Sequence, residues 1–218
     1  MAQHDAESAG DRTLPMTGPG VTFETRRDGL AFLIFDRPNE KVNVLNAPLV
    51  AVLEILLDQA AHDRNVRGLL VVSAKPGSFI AGADVREIQA LGSAQEAENA
   101  SRKGHRLFDA LEALPFPVVA AINGTCLGGG TELALACHFR VAADDPRTEI
   151  GLPEVRLGIL PGWGGTQRLP RVIGTAPALD MILAGKSLDA RRALKAGLVD
   201  EIAPPEYLLE AAERLARE

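Results

Sequence analysis

The stretch that decides the fold covers residues 118–142 and reads VVAAINGTCLGGGTELALACHFRVA. Its first five residues form a continuous apolar run, which is typical of a strand buried on both faces of a sheet. Asn123-Gly124 closes that strand, glycines 128 to 130 lead into a buried helix over 131–137, and a short strand follows over 139–142. This succession of strand, helix and strand predicts an α/β fold.

The same alternation continues on both sides of this stretch. Asp28-Gly29 lies between two apolar-rich runs and predicts a β-hairpin. Helical spacing of apolar residues predicts a helix that begins near Leu49, and a polar helix is expected before Pro115. The predicted strands are 21–26, 30–35, 68–73 and 198–202, and the predicted helices are 49–61, 94–114, 175–184, 189–196 and 205–217. Since no interior linker or repeat is visible, residues 21–218 are interpreted as one domain.

The composition is that of an ordinary globular protein, with 46% hydrophobic and 24% charged residues. A net charge of -6 without any basic run argues against a nucleic-acid partner. No apolar stretch is long enough to predict a membrane span. Residues 1–20 lack the apolar centre of a signal peptide and are rich in acids, Gly and Pro, so they predict a disordered tail. We therefore expect a cytoplasmic protein.

Two cysteines and four histidines offer little chemistry. Cys126 and Cys137 do not have a CxxC spacing, and we interpret them as small buried apolar residues without a disulfide. The histidines are scattered, so no metal site is predicted. The chain also lacks a GxSxG nucleophile motif, a GxxxxGK[ST] phosphate loop and a GxGxxG dinucleotide motif.

Two glutamates stand beside glycine-rich segments. Glu132 follows three glycines and opens an apolar helix, where backbone N–H groups could stabilise an oxyanion. The alternatives are close packing for the glycines and a favourable interaction with the helix dipole for the glutamate. Glu154 lies in a loop, where an exposed acid is the alternative. If the two share a pocket, repulsion and burial raise the pKa of at least one, which would provide a proton donor beside an acceptor.

Three motifs stand out along the chain, FIAGAD at 79–84, AINGTCLGGGTELALAC at 121–137 and LPEVRLGILPGWGGTQRLPR at 152–171. In this order and spacing they resemble the crotonase, or enoyl-CoA hydratase/isomerase, superfamily. The resemblance covers about residues 21–217. The phrases EKVNVL at 40–45 and SAKPGSFIAGAD at 73–84 look most like the hydratase part of the multifunctional fatty-acid oxidation α-subunit. The family resemblance implies an α/β fold built as a spiral of ββα units.

The resemblance also implies roles for individual residues. The two N–H groups of the family's oxyanion hole fall on Ala83 and Gly129, and its two acids fall on Glu132 and Glu154. In a hydratase Glu132 would activate water, Glu154 would deliver a proton to the α carbon, and the N–H of Gly162 would help to hold the water.

For the substrate, the resemblance implies an acyl-coenzyme A thioester and no separate cofactor. Coenzyme A would pass Lys41 and Val42, with its adenine near Ala81 and Asp84. Family members continue with C-terminal helices that help to build a trimer, whereas this chain ends at Glu218. We therefore expect a homo-oligomer or part of a larger multifunctional chain, without hydroxyacyl-CoA dehydrogenase activity.

Two carboxylates favour hydration of 2-trans-enoyl-CoA in fatty-acid β-oxidation, because a double-bond shift requires only one of them. A Δ3-Δ2 enoyl-CoA isomerase is the first alternative. A truncated fragment that binds acyl-CoA or a partner chain without turnover is the second.

Overall fold

Two β-sheets organise residues 15–218, the part of the chain that this computed structural model describes. Within these residues the larger sheet has seven strands in the order β1-β2-β3-β4-β6-β8-β11, and the smaller has four in the order β10-β9-β7-β5. The strands of the larger sheet are β1 (Met16–Gly18), β2 (Val21–Thr25), β3 (Leu30–Phe35), β4 (Gly68–Ser73), β6 (Val118–Ile122), β8 (Phe139–Ala143) and β11 (Glu201–Ala203). Those of the smaller sheet are β5 (Ser78–Ile80), β7 (Thr125–Leu127), β9 (Glu149–Gly151) and β10 (Ser187–Leu188).

Helices connect and cover these strands. The α-helices are α1 (Ala47–His62), α2 (Val85–Gln89), α3 (Ala94–Glu112), α4 (Gly129–Ala136), α5 (Gly165–Ile173), α6 (Thr175–Ala184), α7 (Ala190–Ala196) and α8 (Leu208–Leu215). Two short 3-10 helices cover Glu154–Leu157 and Pro205–Tyr207.

The chain winds as a spiral of ββα turns. In the pairs β4–β5, β6–β7 and β8–β9, the first strand joins the larger sheet and the second joins the smaller one. Strands β4, β6 and β8 are parallel to one another, and so are β5, β7 and β9. Each turn therefore advances both sheets by one strand before a helix begins, which confirms the predicted α/β class and ββα spiral.

The apolar core lies on both faces of the larger sheet. Alternate residues of a strand point to opposite faces, so Leu69 and Val71 of β4 face α1, α3 and the smaller sheet, whereas Leu70 joins the cluster under α8. Helix α1 begins at a capped end, because the Asn46 side chain accepts a hydrogen bond from the Leu49 N–H at 3.0 Å. The same strands that build the core thereby hold the loops at their ends.

The structure corrects several sequence-based expectations. The predicted disordered tail over 1–20 falls partly outside the described residues. Within the described part, Met16–Gly18 form a strand that pairs with β2. This pairing is possible because the edge of β2 offers unpaired backbone groups and Gly20 closes the turn between the two strands at φ 87°. Helix α4 begins at Gly129 rather than at 131. The strand expected over 198–202 lies at Glu201–Ala203, and the last helix is broken into a 3-10 turn and α8. Among the described helices none is long and apolar enough to cross a bilayer.

Candidate active site

Glu132 lies in the first turn of α4 and is 2% exposed. The turn before it requires glycine at position 128, which has φ 53°, a conformation that other residues rarely adopt. The carbonyl of Gly128 accepts the Glu132 N–H at 2.9 Å, which fixes the start of the helix. The carboxylate consequently lies inside the protein rather than on its surface.

Two backbone amides hold the Glu132 carboxylate. The N–H groups of Trp163 and Gly165 both donate to Oε1, at 2.8 Å each. Gly165 is the first residue of α5, so its N–H has no partner within the helix and points along the positive end of the helix dipole. Burial raises the pKa of Glu132, while these amides and the nearby Arg168 guanidinium partly offset that effect.

Glu154 opens the 3-10 helix Glu154–Leu157 and is 8% exposed. Its Oε2 is buried without a hydrogen-bond partner among the described residues. Burial, together with the negative charge of Glu132, raises the pKa of Glu154 to about 7. The two carboxyl groups therefore share one region but differ in their hydrogen-bond partners, and burial raises the pKa of both.

The predicted oxyanion donors, Ala83 and Gly129, lie side by side. A Cβ built on Gly129 would be 3.3 Å from the Ala83 nitrogen. Gly129 is the first residue of α4, so its N–H has no partner within the helix. Around Ala83 the neighbouring amides are used, because Leu45 N–H donates to Gly82 O and Asp84 N–H donates to Leu45 O. The structure thus places Gly129 next to Ala83, and their role as a shared oxyanion hole stays a prediction.

Gly162 lies directly before Trp163 in the loop that contacts Glu132. Its carbonyl accepts a hydrogen bond from the Ser101 hydroxyl of α3 at 2.5 Å. A Cβ at Gly162 would make only an ordinary van der Waals contact, with Ser101 Oγ at 3.7 Å, so close packing does not require glycine there. The predicted role of the Gly162 N–H in holding water stays a prediction.

The sequence did not predict the amides that hold Glu132, because nothing in the identities of Trp163 and Gly165 indicates a backbone donor.

The four residues predicted to contact coenzyme A lie on two adjoining segments. Lys41 and Val42 are exposed and precede Asn43, whose carbonyl accepts the Ala81 N–H at 2.8 Å. Asp84 caps α2, and its hydrogen bonds from Arg86 hold the pKa of its carboxyl below the usual range. The structure therefore brings all four to the same side of the molecule, next to Ala83.

A cavity of about 360 Å³ adjoins the Ala83 amide. Its walls come from the segment 45–50 and from α2 and α3, and they are mostly apolar. The lining side chains include Leu45, Val50, Ile88, Leu91 and Trp163. Trp163 thus contacts the cavity while its amide contacts Glu132. Within residues 15–218, no group of three or more His, Cys, Asp or Glu side chains is placed to hold a metal ion.

Known proteins share both the sequence and the architecture. The profile of a family described as enoyl-CoA hydratase/isomerase matches residues 25–218. An enoyl-CoA hydratase from Geobacillus kaustophilus is 31% identical, with a TM-score of 0.88 over 94% of this chain and 75% of that one. An enoyl-CoA hydratase from Bacillus anthracis is 36% identical, with a TM-score of 0.83 over 90% and 75%. DspI from Pseudomonas aeruginosa is 34% identical, also with a TM-score of 0.83, over 90% and 73%. The closer resemblance to the multifunctional α-subunit stays a prediction.

Proposed function

The chain belongs to the enoyl-CoA hydratase/isomerase family, and we propose that it adds water across the double bond of 2-trans-enoyl-CoA thioesters. The observation that carries this proposal is the pair of buried carboxyl groups with different hydrogen bonding. Glu132 accepts two amide hydrogen bonds, whereas Glu154 has an unpartnered Oε2 and a pKa raised to about 7. Hydration requires both a base for the water and an acid for the α carbon, and this pair offers one of each.

In the proposed reaction the thioester carbonyl oxygen accepts hydrogen bonds from the amides of Ala83 and Gly129. This polarises the double bond and stabilises the enolate, and one such donor typically contributes about 3 kcal/mol. Glu132 takes a proton from water as the water oxygen bonds to the β carbon. Glu154 then gives its proton to the α carbon, and proton exchange with solvent restores both carboxyl groups. Coenzyme A itself is part of the substrate, and we propose no separate cofactor.

The substrate is proposed to bind in an extended form across this site. The coenzyme A part would lie along Lys41, Val42, Ala81 and Asp84, and the acyl chain would enter the apolar cavity beside Trp163. Ala83 and Asp84 both line the cavity, so the coenzyme A segments and the cavity adjoin at this point of the chain, which supports the proposed direction. An apolar wall suits an unbranched hydrocarbon chain.

The decisive experiment follows crotonyl-CoA absorbance, and then that of a long-chain enoyl-CoA, with wild type, Glu132→Gln and Glu154→Gln. We expect wild type to consume the substrate and each variant to lose hydration. An isomerase acting with one carboxylate would retain 3-enoyl-CoA isomerisation in one of the two variants, and a fragment that only binds acyl-CoA would leave the absorbance constant with ample wild-type protein.

A further inference from the structure

Arg168 is a buried cation beside the site, with 8% of its surface exposed. It lies on α5, one turn after Gly165. Its Nη2 donates to Asp109 at 2.6 Å and its Nε donates to Glu112 at 2.9 Å, both on α3. Its Nη1 donates to the Trp163 carbonyl at 3.3 Å. The guanidinium thus links two helices and the loop whose amide holds Glu132.

Helix α3 supports the same loop at two further places. Ser101 donates to the Gly162 carbonyl, and the Trp163 indole packs edge-on against Phe108 with ring centroids 5.6 Å apart. Gly104 leaves room for the indole, because any Cβ there would overlap the ring. The loop is therefore clamped to α3, and Arg168 connects that clamp to α5.

Charge makes Arg168 different from these other supports. The ionisable groups that face this region from α3, α5 and the 3-10 helix are Asp109, Glu112, His105, Arg168 and Glu154. The acids of α3 are paired with Arg168 and have mostly exposed side chains. The positive charge of Arg168 favours ionised Glu132 and opposes the effect of its burial.

We propose that Arg168 is a positioning residue, which fixes the Trp163 and Gly165 amides around Glu132 and places a positive charge near this carboxylate. The role rests on the proposed hydratase function. It acts on the step in which Glu132 takes a proton, so it affects turnover more than the binding of the coenzyme A part.

The test measures kcat, KM and the pH profile of crotonyl-CoA hydration for Arg168→Met and Arg168→Lys. Misplacing a catalytic group by about 1 Å costs about 100-fold in rate, so we expect Arg168→Met to lose at least about 10-fold in kcat, with KM changed less than about two-fold. The rising limb of its pH profile should move to higher pH, because the pKa of Glu132 rises without the nearby cation. Arg168→Lys keeps the positive charge, so the rising limb of its pH profile should stay at the wild-type pH while kcat falls in part.

Arg140 provides a matched control. It is 7% exposed and donates to the carbonyls of Leu198 and Cys137 and to Asp200, at the far end of α4 from Glu132. Arg140→Met should lower the midpoint of thermal unfolding as much as Arg168→Met does, but keep the wild-type pH profile. A shift of the rising limb of the pH profile in both Arg140→Met and Arg168→Met would show a merely structural effect and would overturn the proposal.

A second route avoids the risk that Arg168→Met does not fold. The pair Asp109→Ala and Glu112→Ala removes both α3 acceptors of Arg168 at mostly exposed side chains, and we expect it to lower kcat several-fold. Unchanged kcat in this double variant, or unchanged kcat and pH limb in a folded Arg168→Met, overturns the positioning role alone. A wild-type chain without hydratase activity overturns the proposed function and this inference together.

Discussion

Replacing Glu154 by Gln should stabilise the protein at alkaline pH while abolishing hydration. The Glu154 carboxyl is buried and its Oε2 has no partner among residues 15–218, so its ionised form is disfavoured. Gln has almost the same shape but cannot ionise. Its effect on stability should therefore depend on pH.

The magnitude follows from the pKa of Glu154, which is raised from 4.5 to about 7. Each pH unit between the folded and unfolded values corresponds to about 1.4 kcal/mol, so the whole interval is worth about 3 kcal/mol. Because the folded pKa is the higher one, this stability is fully present below pH 4.5 and is lost as the pH rises to about 7. Above that pH the free energy of unfolding of wild type differs from that of Glu154→Gln by a constant amount. Removing the Glu154 charge also eases ionisation of Glu132, which acts in the same direction.

Urea unfolding of wild type and Glu154→Gln at about pH 5 and about pH 8 measures this difference. The free energy of unfolding of the variant, relative to wild type, should increase by about 2 to 3 kcal/mol between the two pH values. Asp84→Asn is the control, because the pKa of Asp84 is lowered below 3.8 and its contribution stays constant over this range. A relative stability of Glu154→Gln that does not change with pH would refute the reasoning.

Two further predictions follow from close packing. Gly165→Ala places a Cβ 3.0 Å from Glu132 Oε1 and from Leu152 Cδ1, so kcat should fall about 10-fold and overpacking should cost about 1 to 3 kcal/mol of stability. Gly92→Ala, where the nearest atom is 3.6 Å away, should retain wild-type kcat, and equal rates for both variants would contradict the prediction. Burial raises the pKa of the Cys126 and Cys137 thiols to about 12, so neither should react with a thiol reagent at about pH 8 until urea unfolds the chain. Rapid labelling of the native protein would contradict this prediction, because it would show that at least one thiol is accessible.

The glycine run of α4 shows how far the sequence could lead. Its three glycines left two interpretations, close approach to a ligand or tight packing. The structure shows tight packing at two of these glycines, because a Cβ on Gly129 would lie 3.0 Å from the Trp163 ring and a Cβ on Gly130 would overlap the carbonyl of Ile80, whereas close approach to a ligand stays a prediction. The long apolar strands and α1 were predictable because burial repeats along them. Strands β5, β7 and β9 were not, since three residues show no periodicity and their partners lie far away in the sequence.

The sequence indicated both carboxyl groups of the candidate site, and the family resemblance indicated backbone donors at Ala83, Gly129 and Gly162, but neither indicated the amides that hold Glu132. Motif spacing indicated Glu132 and Glu154, and the structure places both inside the protein. The amides of Trp163 and Gly165 were missed, because every residue except proline has an N–H and only the fold decides where it points. Arg168 has a recognisable charge, but its burial depends on acids of α3 that lie more than fifty residues earlier.

The difference between the two glutamates therefore lies in the loop at 162–165 rather than in the residue type. Both are buried carboxyl groups that repel each other, and burial alone would raise the pKa of both. What distinguishes Glu132 is its contact with this loop and the start of α5, which provide the N–H groups of Trp163 and Gly165 and the neighbouring Arg168 cation. Among residues 15–218 no hydrogen-bond donor contacts Glu154 Oε2, and this difference supports the proposed roles of Glu132 as the base and Glu154 as the proton donor. Substitutions that remove the contacts holding the loop at 162–165 should bring the pKa values of Glu132 and Glu154 closer together. The pH range of activity should then narrow, even with both glutamates in place.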